Sequence, residues 1–208
     1  MPSYQPEAYQ KPGCPIIVDL NGDGLITVED VDMKNVIPSL YWGFGNTFTY
    51  KNWDLDVFIY SQLGVDKYND VYSWTSGRGL GNQTNNMSVY IKDVWHSELN
   101  PNGTIPGIAY EMASVSLPGG AGTDIGYENS SFVRVRNITL GYNFKPNQLG
   151  ALSKLLSGIR VYVDVQNPFT FTGYTGLDPE VNTGGNYKGG KAEYPQTRTF
   201  SLGAKLSF

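Results

Sequence analysis

Histidine, cysteine and charge are what this 208-residue chain has least of. Its one histidine, His96, excludes a multi-histidine metal site, and its one cysteine, Cys14, excludes an internal disulfide. Charged residues make up 16% of the chain and the net charge is -4. Arg134, Arg136 and Arg198 are scattered and form no basic stripe, so nucleic acid is excluded as a partner. No apolar run approaches the ~18 residues of a membrane-crossing helix, which removes helical membrane proteins and leaves β-barrels untouched. His96 has no obvious catalytic partner and no serine or cysteine sits in a nucleophile context, so no enzyme is expected. Asp54/Asp56 and Asp178/Glu180 are carboxylate pairs spaced by two, which suits a polar lumen or loop better than acid–base work.

Aromatic and turn-forming residues are abundant instead, with aromatics at 13%, 15 Tyr and 25 Gly. Such a balance fits β-rich chains that show rings at an interface. From Leu40 the apolar period is two. Trp42, Phe44, Phe48 and Tyr50 alternate with Gly43, Gly45, Thr47 and Thr49. After a short turn at Lys51-Asn52, Trp53, Leu55, Val57 and Ile59 alternate with Asp54, Asp56, Phe58 and Tyr60, which makes a hairpin. Alternation resumes at Ser131, where Ile138, Leu140, Tyr142 and Phe144 share a face. It continues through Ile159, Val161, Val163 and Val165. It ends on Phe200, Leu202, Ala204, Leu206 and Phe208. Residues 64–129 and 173–194 are polar connections, and Val89 to Trp95 has room for one or two helical turns. Connections therefore run short, long, short, long, as in barrels with tight periplasmic turns and long outer loops, though soluble sandwiches also have alternating strands and uneven loops. About five strands result, each long enough to cross a bilayer at a tilt (~9–11 residues). A soluble edge strand would guard its edge with charge or proline. Here an apolar stripe runs to Phe208.

Several motifs carry a resemblance to a known family. The run from Ser131 to Tyr142, SFVRVRNITLGY, resembles a stretch of the SusC/RagA family of TonB-dependent outer-membrane transporters of Bacteroidetes. Matches follow in family order at Trp42–Asn46 with Tyr50–Leu55, at Arg160–Thr170, at Gly176–Glu180 and at Tyr194–Gly203. The resemblance implies an all-β fold, the C-terminal antiparallel strands of a large transmembrane β-barrel with long extracellular loops. It divides the chain into an extracellular segment, 1–38, and barrel strands, 39–208. It implies outer-membrane lipid and a SusD-like lipoprotein as partners, and oligosaccharides or peptides as cargo. A TonB complex would act through an N-terminal part that this chain lacks. The stripe Phe200, Leu202, Ala204, Leu206 and Phe208 resembles the signal read by the barrel-assembly machinery. Met1 to Pro12 is polar and holds no signal peptide, so a truncated chain is expected. Five strands cannot close, and lipid tolerates no open sheet edge, so the fragment alone is expected neither to insert nor to transport. Counting back from a periplasmic C-terminus, the 51–52 and 145–158 turns are periplasmic and the 64–129 and 173–194 connections extracellular. Tyr50, Trp53, Tyr142 and Phe144 then form an inner aromatic girdle. Tyr72, Trp74, Trp95, Tyr174 and Tyr187 are candidates for stacking on sugars, against loop packing as the plainer role for each.

An acidic loop precedes the strands. Asp19, Asn21 and Asp23 stand at positions 1, 3 and 5 of a calcium-loop pattern, with Gly24 at 6 and Asp30 at 12. Leu25 would offer its carbonyl and Thr27 could hold a water, so a structural calcium ion is expected. Asp30 replaces the usual bidentate Glu. The competing reading is a tight turn followed by a helix cap, since Thr27 and Asp30 also form a capping box. A different function, a soluble secreted calcium-binding β-module of carbohydrate-binding type, would explain the loop and the rings but not the terminal alternation.

Overall fold

The computed structural model describes residues 3–69, 72, 88–107, 124–181 and 194–208. The strands are β1 (Leu40–Tyr50), β2 (Trp53–Leu63), β3 (Asp66–Tyr68), β4 (Tyr127–Asn129), β5 (Phe132–Phe144), β6 (Gly158–Thr172) and β7 (Thr199–Ser207). Five of them pair in the order β1-β2-β5-β6-β7, and β3 pairs with β4 in a separate ribbon. Every pairing in the large sheet is antiparallel, so its long strands form a simple meander. The short ribbon is absent from the sequence reading, because three-residue strands carry too few alternations to stand out from a polar connection.

Two compact units make up the chain. One holds the sheet and comprises Asn35–Asp66, Asn129–Asn182 and Glu193–Phe208. The other comprises Met1–Lys34, Lys67–Glu128 and Thr183–Ala192.

Register gives the sheet two opposite faces. Phe48, Leu55, Leu140, Val163 and Leu202 stand side by side across all five strands. The neighbouring row on the other face is Thr47, Asp56, Thr139, Asp164 and Ser201. A strand's side chains alternate in direction, so each row keeps one polarity from edge to edge. The apolar face is not a core, since Phe48, Leu140, Val163, Phe200 and Leu202 are all exposed, Leu202 at 78%. Among the described residues the buried apolar side chains are Tyr9, Val65, Val94, Phe132 and Leu156, none of them in an apolar row. A monomeric soluble protein rarely leaves so wide a contiguous apolar surface uncovered.

Two local devices set this geometry. The β1–β2 turn has only Lys51 and Asn52 between the strands, with Lys51 at a positive φ of 55°. Further along, a bulge interrupts β5. Phe58 faces Asn137 and Ile59 faces Val135, leaving Arg136 without a partner on β2. On β6 the residues passed over are Asn167, at φ 49°, and Pro168, whose missing N–H costs nothing at a bulge. The extra residue lets the adjacent polar residues Arg136 and Asn137 leave the apolar face intact. Val133 and Val135 stay in line with Ile138, Leu140 and Tyr142.

Candidate functional site

The polar face of the sheet is where charged and hydrogen-bonding groups gather, and it does so in three tiers. Near the short turns, Arg160 binds the Asp54 carboxylate through Nε at 3.2 Å and through Nη2, and Asn143 Nδ2 donates to the same carboxylate at 2.5 Å. Gly141 lies beneath this pair. A Cβ there would stand 2.6 Å from Asp54 Oδ2 and 2.7 Å from the Arg160 guanidinium, so only glycine leaves room for the contact. In the middle, Thr47 donates to Asp56 at 2.7 Å, Thr139 donates to Asp164 at 2.7 Å, and Asn137 donates to Thr139 at 2.8 Å. Tyr162 lays its ring over Gly203, where a Cβ would meet the ring at 2.4 Å.

At the long-connection end the tier is buried. Arg134 is 2% exposed, yet each guanidinium nitrogen has a partner. Nε donates to Thr170 at 2.9 Å, Nη1 to Glu180 at 2.7 Å, and Nη2 to both oxygens of Asp178 at 2.9 and 3.0 Å. Arg136 joins by pairing with the other oxygen of Glu180. The floor is aromatic, with Arg134 5.3 Å from the Phe132 ring and Arg136 5.2 Å from the Tyr60 ring. Burial alone would push the Asp178 carboxyl up. Backbone N–H groups of Glu180 and Gln196 and the Arg134 guanidinium outweigh it and hold the group below its ordinary value. Sequence reading places Asp178 and Glu180 in a loop and Arg134 and Arg136 among scattered cations. Pairs separated by 44 and 46 residues leave no local signal, beyond the matching i, i+2 spacing of two cations and two anions.

Opposite the polar tiers, the short-turn end carries rings. Trp53 meets Tyr142 at 4.8 Å and Tyr142 meets Phe144 at 4.7 Å, both edge-on, and Tyr50 faces Trp53 in register. Those are the four residues expected as a girdle. The terminal stripe lies on the same face, with Phe200, Leu202, Leu206 and Phe208 exposed and Ala204 opposite Val161.

The stacking candidates fall in different settings. Tyr72 meets Tyr90 edge-on at 5.5 Å, and the half-buried Trp95 packs over Gly13 and Gly107. Tyr174 lies against Gly176. Trp74 and Tyr187 lie outside the described residues.

The 19–30 loop is built from its own polar side chains. Asp19 accepts from the N–H groups of Gly22 at 2.7 Å and Gly24 at 2.8 Å, and Asp23 accepts from Leu25 N–H at 2.8 Å. Asn21 Nδ2 donates to Asp23 and Glu29. Asp30 accepts from Thr27 N–H at 2.7 Å and Leu20 N–H at 2.8 Å, while the Thr27 hydroxyl accepts from Glu29 N–H. The expected capping box is present, but it caps a single 3-10 turn, Val28–Asp30. The Thr27 N–H, with further backbone donors, keeps the Asp30 carboxyl below its ordinary value. Among the described residues no three His, Cys, Asp or Glu groups converge closely enough to share a metal ion.

Known proteins resemble both the sequence and the sheet. TonB-dependent receptor SusC of Bacteroides thetaiotaomicron is 33% identical over 99% of this chain, and TonB-dependent receptor P3 of Formosa agariphila is 31% identical over 95%. The chain spans only about a fifth of their length, 19% in each case. Among solved structures, the RagAB peptide importer in its closed-closed state matches 84% of this chain and 18% of its own, with a TM-score of 0.66 and 25% identity. No family model matches.

Proposed function

We propose that this chain, which belongs to the SusC/RagA family of TonB-dependent receptors and matches the C-terminal portion of their barrel, forms lipid-facing and lumen-facing wall in an outer-membrane importer. One observation carries the reading: a sheet whose exposed face is apolar across all five strands and whose other face ties its charges together. In a membrane barrel the apolar rows meet lipid and the polar tiers line the interior. The aromatic group at the short-turn end then lies at one membrane interface. The soluble calcium-binding module is not favoured by the relatives.

The orientation follows from the connections. Lys51-Asn52 and residues 145–157 face the periplasm, and the long connections after β2 and β6 face outward. Cargo passes on the polar side, driven by a TonB complex and received with a SusD-like lipoprotein. A peptide is the cargo suggested by the RagAB importer, and an oligosaccharide is the other candidate. Tyr72, Trp95 and Tyr174 are proposed contributors on the outer side, and the β7 stripe is proposed as the mark read by the assembly machinery. An epitope inserted between Gly173 and Leu177 should be detected on intact cells. The same epitope between Gly150 and Ser153 should appear only after permeabilisation. The opposite pattern would overturn the orientation.

The 19–30 loop is proposed as a structural calcium loop, on the order of its oxygen donors. Each carboxylate already serves backbone amides, so binding requires Asp19, Asp23 and Asp30 to converge further. Calorimetric titration with calcium should give heat that Asp19→Ala with Asp23→Ala removes. Equal heats would reject the site.

A further inference from the structure

The connection between β6 and β7 is fastened to the sheet at its base by one buried cluster. Arg134 and Arg136 supply two positive charges, Asp178 and Glu180 two negative ones, so the group is neutral as a unit. The bulge at Arg136 turns both guanidiniums to the polar face. Asp178 does more than pair with Arg134. It accepts the N–H of Glu180 on the outgoing limb at 2.8 Å and that of Gln196 on the returning limb at 2.9 Å. Asn167, beside the bulge, adds a second tie by donating to the Thr197 carbonyl at 3.1 Å.

Arg134 and Asp178 are buried, and Arg136 and Glu180 partly so. Burying charges is a poor way to gain stability, since apolar side chains of similar size often do as well or better. What the cluster supplies is one defined arrangement of both limbs. The geometry points to a clasp: Arg134, with Asp178 as the shared node, sets the position of the whole base of the connection, and loss of either frees both limbs together. The outward placement of that connection rests on the barrel reading above; the clasp itself rests on the contacts.

Hydrogen exchange in the intact receptor carrying this sequence tests it. Heat-dependent gel mobility reports separately on whether a barrel has formed. In Arg134→Gln and in Asp178→Asn, the amides of Asp178 and Glu180 and those of Gln196, Thr197 and Arg198 should both exchange about tenfold faster or more, with the amides of β5 and β6 unchanged. The double variant should exchange no faster than the faster single one, because the two changes break one unit. Loosening of a single limb in Arg134→Gln, or multiplicative effects in the double variant, would overturn the clasp. Should Arg134→Gln prevent barrel formation, the isosteric Asp178→Asn serves alone, and protection unchanged in both limbs would overturn it equally. A parent receptor with no heat-modifiable band would reject the barrel reading and leave the exchange result on the clasp to stand by itself.

Discussion

The two faces of this sheet are made by the same five strands and differ by one residue in phase. On one, Phe48, Leu140, Val163 and Leu202 stand exposed. On the other, Asp54, Arg160, Arg134, Asp178 and Glu180 are paired and partly or wholly buried. A water-soluble fold would have these the other way round. The difference is the one expected where lipid is the solvent for the apolar rows and the polar rows form their own interior, in which each charge must find a partner.

The sharpest break in that contrast is removal of one charge from the buried tier. Arg134→Met leaves Asp178 without its cation and Glu180 with Arg136 alone, and should cost about 3–5 kcal/mol, read as a lowered urea midpoint of barrel unfolding. Next comes a charge placed on the lipid side. Leu140→Arg should cost ~2–4 kcal/mol near the bilayer midplane, while Thr139→Arg, one residue away on the other face, should cost far less in the same unfolding measurement. Equal costs at 139 and 140 would erase the distinction between faces. Gly203→Val drives a side chain into the Tyr162 ring and should cost ~1–3 kcal/mol, with Tyr162→Ala relieving part of it in a double-mutant cycle. The smallest effect is that of acid on the β6–β7 connection. Asp178 titrates below its ordinary value in the folded chain, so its contribution is complete above the unfolded carboxyl's pKa and is lost as pH falls through the depressed one. Exchange protection at 178–180 should therefore be flat from neutral pH down to about 4 and fall below that. A loss beginning near pH 6 would contradict the assignment.

Much of this was legible because alternation is a local signal. The rows through Leu140 and Leu202 follow from period-two spacing alone, and the Lys51-Asn52 turn from the abrupt change of phase around it. The aromatic end follows once the strands are paired in a meander. The bulge was not legible, because Arg136-Asn137 reads only as two polar neighbours within a strand. Nor was the clasp, whose partners meet through tertiary structure rather than spacing. For the acidic loop, the sequence order suits two structures, and hydrogen bonds to backbone amides realise the capped turn.

The contrast between faces is tested most directly by single cysteines at residues 137–140 of β5 and 199–202 of β7, in a receptor whose Cys14 is replaced by serine. With the receptor in lipid bilayers, a membrane-impermeant maleimide should label 137, 139, 199 and 201, and a lipid-soluble reagent 138, 140, 200 and 202. Labelling without that alternation, or with the two sets exchanged, would contradict a lipid-facing apolar surface.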